Sequence, residues 1–430
     1  MLRRDFIAKG AATSLALGTF PNIIVAKKHR VYTVGLIGSG WWGMNILTTA
    51  IASGTVKTKA LCDVDQRQMD EAKAKVKELT GDSPKLYRDF REMLAKEKLD
   101  IVIVATPDHW HAIPAIAALK SGAHVYVEKP IGHTINEGKA MVAAQKQYGK
   151  VVQVGLHRHA APHNIEGIKF LKSGKVGDIK MVRAIVHYGY SDREPAANTA
   201  APEGLDWDMY CGPAPLLDFN PGMHPRGFRN YLDFANGMIA DWGVHWFDQI
   251  LWWSEEKHPK SIYSTGGRVH PDRVADVPDW QTATFEFENF TAEWEHRRIG
   301  GSGSEKHNIG VYYYGTKGTF HMGWRDGWTF YPSARNAEPV HMDHTLHEPD
   351  HQNIPELWKD FIDAIETGSK PAADIENSHY ATNMSLLAMM SYKLGRSFKW
   401  DGSQQMPVDD PEAVALMERA YRDPWEYPKV

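Results

Sequence analysis

Three short groups of residues have the types and spacing to do chemistry. Gly38-Ser39-Gly40-Trp41-Trp42-Gly43 follows a β-branched run and precedes a helical pattern. In that strand-turn-helix setting the glycines divide the work. Gly38 makes the tight turn, Gly40 lets the backbone approach a pyrophosphate, and Gly43 lets helix and sheet pack closely. The helix N-terminus behind the turn favours an anion, because its amides and dipole face the ligand. Trp41 and Trp42 would flank that ligand. Asp63, 20 residues beyond Gly43, ends the second strand. A carboxylate there accepts hydrogen bonds from ribose hydroxyls and repels a 2′-phosphate, so NAD is expected over NADP. Arg67 nearby would soften that preference.

Glu128-Lys129-Pro130 follows a later strand, at the carboxyl edge of the sheet where ligands bind. A lysine there can reach a substrate hydroxyl and the nicotinamide ribose; the alternative is a solvated loop lysine. Asp241-Trp242-Gly243-Val244-His245 sets a carboxylate and an imidazole at i and i+4 on one helix face. An imidazole held by a carboxylate is a general base near neutral pH. The alternative is a surface pair or a buried, hydrogen-bonded histidine. Asp248 shares that face without an assigned role. His157-x-His159-x-x-x-His163 has spacing that could chelate zinc. A polar substrate pocket explains these histidines as well, and no metal is expected.

The elements that position these groups fall into two sets. Strands are expected at Val31–Ile37, Val56–Leu61, Leu99–Ala105, His124–Val127 and Val151–Gly155. Helices alternate with them at Trp41–Ser53, Asp65–Leu79, Phe90–Lys98, Ile113–Ser121 and Asn136–Tyr148. Such alternation means a doubly wound parallel sheet over residues 31–157. The pattern then changes. Ile179–Tyr188, Ser261–Arg268, Gln281–Phe287, Thr291–Arg298, Asn308–Tyr314 and Gly318–Gly323 alternate like half-covered strands. They predict an α/β second domain, residues 158–430, on a mostly antiparallel sheet. Loops rich in Pro, Gly and Trp run from Ser191 to Arg229 and would shape the pocket. A helix is expected at Asp241–Trp253, and helices at Ile354–Thr367 and Ile375–Lys393 would pack back on the first domain.

Composition limits the partners. The chain has 430 residues, 43% hydrophobic and 24% charged, enough for two cores. A net charge of −4 gives no reason to expect nucleic acid or an anionic membrane surface. No apolar stretch predicts a membrane anchor. The 15 Trp weigh toward a carbohydrate ligand, since indoles stack on sugar faces. Cys62 and Cys211 fall in different halves and are not expected to bridge. Residues 1–26 open with Arg3-Arg4-Asp5-Phe6 before a weakly apolar run, which predicts a twin-arginine signal and a periplasmic or otherwise exported protein. That route carries folded proteins and suits a tightly held cofactor.

With these motifs the chain resembles the Gfo/Idh/MocA oxidoreductase family. The match runs through the glycine turn with Asp63, Ala105-Thr106-Pro107-Asp108-His109-Trp110-His111, Glu128-Lys129-Pro130 and Asp241-x-x-x-His245, from about residue 31 to the C-terminus. Gly204–Pro215 and Ala240-Asp241-Trp242-Gly243 resemble its exported branch. The resemblance implies a Rossmann domain plus an α/β domain whose large open sheet makes homo-oligomer contacts. It implies hydride exchange between a sugar-like hydroxyl and NAD. By position, Lys129 would hydrogen-bond the substrate hydroxyl, His245 would carry its proton, and Asp241 would orient His245 or the substrate. Thr106, Pro107, Glu128 and Lys129 would line the cofactor, His111 would support that loop, and Arg158 would sit near the nicotinamide. His157, beside Arg158, would face the substrate. Asp108 departs from the family, where Asn is common. The expected function is an NAD-dependent dehydrogenase of a sugar or polyol. The alternative is redox-neutral cleavage of a glycoside by transient oxidation and elimination, with the same residues. A non-catalytic binding protein is disfavoured by the presence of Lys129, Asp241 and His245 together.

Overall fold

The computed structural model describes residues 30–189, 196–271, 273–300 and 305–429. The expected signal, residues 1–26, lies outside the described residues. The described residues from Val31 onward form one compact body.

Its first part follows the alternation in the chain: β1 (Tyr32–Ile37), α1 (Trp41–Ala52), β2 (Val56–Cys62), α2 (Gln66–Thr80), β3 (Lys85–Tyr87), α3 (Phe90–Lys96), β4 (Ile101–Val104), α4 (Ala112–Lys120), β5 (His124–Val127), α5 (Ile135–Tyr148) and β6 (Val152–Val154). The strands pair in the order β3-β2-β1-β4-β5-β6, all parallel. The order reverses at β1 and β4, which opens a crevice at the carboxyl ends of those strands. β4 is buried at every position because helices cover both faces. Asp65 caps α2 by accepting from the Arg67 amide, and Thr134 with Glu137 forms a capping box on α5.

The second part contains α6 (Pro162–Lys172), β7 (Ile179–His187), α7 (Trp207–Cys211), α8 (Val244–Ser254), β8 (Ser261–Gly267), β9 (Trp280–Glu286), β10 (Thr291–Arg297), β11 (Ile309–Gly315), β12 (Gly318–Gly323), β13 (Trp328–Pro332), β14 (Val340–Met342), α9 (Ile354–Thr367), α10 (Ile375–Leu394), β15 (Phe398–Asp401), β16 (Met406–Pro407) and α11 (Pro411–Ala415). Among the described residues its sheet has ten strands, ordered β14-β13-β12-β11-β7-β10-β9-β8-β15-β16. It is mixed: β7 runs parallel to β10, and the other pairs are antiparallel. On β9, Gln281, Ala283 and Phe285 are buried while Thr282, Thr284 and Glu286 are exposed. Phe285 and Trp294 meet Phe247 of α8, with ring centroids 5.2 and 5.7 Å apart. Each such side chain contributes about 1.5–3 kcal/mol by leaving water.

Two features differ from expectation. β3, α6, α7, β13, β14, α11 and the short β15 and β16 were not among the expected elements. The helix expected over Asp241–Trp253 begins as a π-helical turn, Ile239–Gly243, that feeds α8. α9 buries Leu357, Trp358 and Phe361 in the core of the first sheet, and the Trp358 indole donates to Thr55 Oγ1 at 3.1 Å.

Candidate functional site

A cavity of about 960 Å³ runs from the glycine turn to the π-helical turn. That lies at the upper end of small-molecule sites, roughly 300–1,000 Å³. Its walls come from both sheets.

At one end the turn is shaped for a ligand. Gly38 has φ +91°, and a Cβ there would lie 2.5 Å from the Ala105 carbonyl oxygen. A Cβ on Gly43 would lie 2.0 Å from the Gly38 carbonyl oxygen. Gly40 differs: a Cβ would meet only Gln68 Oε1, at 3.6 Å. Protein packing therefore demands Gly38 and Gly43, whereas at Gly40 the space belongs to the cavity. No side chain caps the first turn of α1, which leaves its amides for an anion. The cradle fits a dinucleotide pyrophosphate.

Asp63 lines the cavity, and its carboxylate accepts from the Ser39 amide at 2.7 Å and the Asp65 amide at 3.0 Å. Burial raises its pKa, against those two amides and His224. Arg67 is turned away, on Asp65. Beside Asp63 a loop from the second part docks on the β2–α2 turn. The Gln66 amide donates to the Gly204 carbonyl at 3.0 Å, and the Asp206 amide to the Val64 carbonyl at 2.9 Å. The His224 ring bonds Asp65 Oδ2 at 3.0 Å. This loop has a small core of its own, with Tyr210, Cys211, Met223, Phe228 and Phe234 buried around Val64. Cys62 and Cys211 are both buried free thiols.

In the middle, His111 ties two cofactor loops together. Its ring nitrogens face the Pro130 carbonyl at 2.6 Å and the Thr106 carbonyl at 2.8 Å. Burial holds its pKa down to about 4, against those carbonyls. Burial also pushes Asp108 and Glu128 up to about 7, although Arg229 and Lys129 draw both down. Gly155 makes room for Glu128: a Cβ there would sit 2.2 Å from Glu128 Oε1.

At the far end, Lys129 Nζ donates to Asp241 Oδ1 at 2.6 Å and to the Asp241 carbonyl at 2.8 Å. Arg229 Nε lies 3.0 Å from the same Oδ1. Burial would raise the Asp241 pKa, but the two cations hold it well below the usual carboxylate range. The expectation that Asp241 orients His245 is corrected here. Its carboxylate is committed to two cations, which attract it more strongly than a neutral imidazole. His245 is buried, and its Nδ1 has no partner. Burial, then Lys129, Arg158 and His157, hold its pKa well below normal, so it stays neutral.

Rings surround this end. His157 lies 5.8 Å from Trp42 and 5.6 Å from His245, and Trp242 packs against Trp324 at 4.9 Å and Tyr188 at 6.1 Å. The three histidines of the zinc-like spacing part company. His157 faces the cavity, His159 bonds Asp248 Oδ1 at 2.9 Å, and His163 bonds Thr345 Oγ1 at 3.0 Å. The remaining expected residues, Trp41, Thr106, Pro107 and Arg158, also line the cavity.

Arg229, Trp324 and Arg325 also line the cavity and were not anticipated. Arg229 sits in an irregular loop with no periodic pattern around it. The β12–β13 turn that brings Trp324 and Arg325 to the site depends on long-range strand pairing.

Two family models match the chain. One, described as the oxidoreductase family with an NAD-binding Rossmann fold, covers residues 32–156. The other, described as the C-terminal alpha/beta domain of the oxidoreductase family, covers 184–427. Curated relatives include a glycosyl hydrolase family 109 protein of Shewanella sp. (strain W3-18-1), 35% identical over 118 residues, 26% of each chain. An alpha-N-acetylgalactosaminidase of Shewanella oneidensis matches with the same identity and coverage. The chain thus spans about a quarter of the length of these relatives. Among solved structures, aldose-aldose oxidoreductase from Caulobacter crescentus complexed with glycerol aligns with TM-score 0.65 at 18% identity, over 86% of this chain and 100% of that one. Levoglucosan dehydrogenase in complex with NADH and levoglucosan aligns with TM-score 0.67 at 20% identity, over 86% and 99%. At these identities the structural likeness speaks to the fold.

Proposed function

The chain belongs to the Gfo/Idh/MocA family of NAD-binding oxidoreductases, and on that premise we propose that it exchanges a hydride between a sugar or polyol hydroxyl and a tightly held NAD. The observation that carries this reading is the continuity of one cavity from the dinucleotide cradle to Lys129, Asp241 and His245. NAD, when bound, supplies the hydride acceptor. Lys129, held by Asp241 on the cavity wall, would donate from its ammonium to the substrate hydroxyl. His245 is neutral and takes the hydroxyl proton as the carbinol becomes a carbonyl. Trp242 and Trp324 line the cavity and offer faces for the apolar side of a sugar ring. The purified protein, screened against sugars and polyols, should show the absorbance of reduced nicotinamide with its substrate. His245→Ala should retain NAD and lose that signal by about 10²–10⁴-fold. Near-normal turnover in that variant would sink the assignment.

A second reading draws on the names of the curated relatives. Transient oxidation of a ring hydroxyl acidifies the neighbouring C–H and lets the aglycone leave with its proton; water then adds to the double bond so formed, and the hydride returns to the ketone. Release of aglycone from aryl glycosides without added NAD would favour it. We also propose export by the twin-arginine route, supported by Arg3-Arg4-Asp5-Phe6, and a homo-oligomer through the open sheet face, supported by exposed Tyr263 and Trp280. Cell fractionation and light scattering test these two proposals.

A further inference from the structure

The reacting end of the cavity holds more positive charge than its own carboxylates balance. Arg158 is 4% exposed, with its guanidinium stacked on the Trp246 indole at 4.2 Å. Its Nε is buried without a partner, and it makes no ion pair or hydrogen bond with any described residue. The acid whose charge it feels, Asp248, gives Oδ1 to His159, and Asp248 Oδ2 reaches no donor. Arg158 lines the cavity close enough to His245 to depress its basicity.

Arg325 adds to the surplus. Its guanidinium lies over Trp324 at 4.2 Å, also without an acid partner among the described residues. The neighbouring Asp326 is taken by His307 at 2.5 Å. Lys129 and Arg229 share the single carboxylate of Asp241. Asp108 and Glu128, pushed up to about 7 by burial, carry only part of their charge near neutral pH, and burial also raises Asp350 at the cavity wall. An oxidised nicotinamide ring is itself a cation, so its carboxamide oxygen could accept a hydrogen bond from a guanidinium but would bring no counter-charge.

We propose that Arg158 grips a carboxylate of the substrate, with Arg325 reinforcing it from the cavity mouth, so that the substrate is a sugar acid rather than a neutral sugar. The inference rests on the oxidoreductase reading above and names its substrate class. A buried guanidinium presents a rigid fork that matches a carboxylate in two parallel hydrogen bonds. The alternative of leaving it unpaired carries the full desolvation cost of a charge. A sugar acid would bring the missing negative charge, and its hydroxyls would remain for Lys129 and His245.

The test is calorimetric titration of the NAD-loaded protein with matched pairs: D-glucuronate against D-glucose, D-galacturonate against D-galactose, and D-gluconate against D-glucitol. The acid of at least one pair should bind on the order of tenfold more tightly than its neutral partner, and added salt should erode the difference. Arg158→Gln should erase the preference and Arg158→Lys should keep part of it. Arg325→Gln, at an exposed site, should weaken the preference without disturbing the fold. Equal binding within every pair overturns the inference, as does no binding of any acid. An Arg158→Gln variant that loses NAD but keeps the acid preference overturns it too. If a neutral sugar reduces the bound nicotinamide as well as any acid, this inference falls and the oxidoreductase reading stands.

Discussion

Replacing Asp241 by Asn should cost more stability than replacing Lys129 by Met, although the two residues form one ion pair. The reason is that Asp241 serves two cations. Lys129 is 11% exposed, Asp241 24% and Arg229 36% in their side chains. Breaking a fully buried pair from one side costs roughly 3–5 kcal/mol, because the surviving charge stays desolvated. Partial exposure discounts this, so Asp241→Asn should cost about 2–3 kcal/mol. Lys129→Met leaves Asp241 still paired with Arg229 and removes one buried charge, so its cost should be about 1 kcal/mol. The double variant should cost less than the sum of the two, since the lost contact is counted once. Denaturant midpoints with saturating NAD, so that occupancy is equal, measure all three. The folded Asp241 pKa lies below the unfolded value of roughly 3.9, so its contribution is fully present above about pH 4 and fades as the pH falls further. The penalty of Asp241→Asn should shrink in the same window. Equal losses in the two single variants, or strict additivity, would refute the shared-carboxylate geometry.

Asp108→Asn should flatten the pH dependence of stability. The folded pKa is raised to about 7, so Asp108 stabilises the fold least once the pH has risen through that value. The variant should match the parent near pH 4 and exceed it near pH 8 by up to about 4 kcal/mol, read from midpoints at the two values. Gly43→Ala should abolish NAD binding and cost about 3 kcal/mol or more, because its Cβ would overlap the Gly38 carbonyl; calorimetry with NAD decides. His224→Ala should release NAD about tenfold faster during dialysis, since it removes a bond to a carboxylate that holds the docked loop; an unchanged release rate would count against that fastening.

The parts of the site that were legible in the chain depend on local chemistry. Gly38, Gly40 and Gly43 announce themselves because a turn and a close approach restrict the side chain wherever they occur. β4 is legible because helices cover both its faces and every residue is apolar. Lys129, Asp241 and His245 were found as motifs, yet their pairing was not. Whether Asp241 turns to His245 four residues on or to Lys129 across the cavity depends on a π-helical turn and on Arg229. Neither leaves a periodic trace. The loop around Tyr210 and Phe234 looked irregular because its core is made of residues scattered among prolines and glycines, and only tertiary contact with Val64 assembles it.

That loop changes what release of a cofactor means. It walls the cavity beside Asp63 and is fastened to the β2–α2 turn by two backbone bonds and His224. Passage of a dinucleotide along that wall requires those fastenings to part and the small core to come undone. Release by that path would be a local unfolding event, timed by the stability of some thirty residues rather than by contacts to the ligand. By the same linkage, a bound dinucleotide protects the amides of that segment from hydrogen exchange, and the empty protein should expose them first.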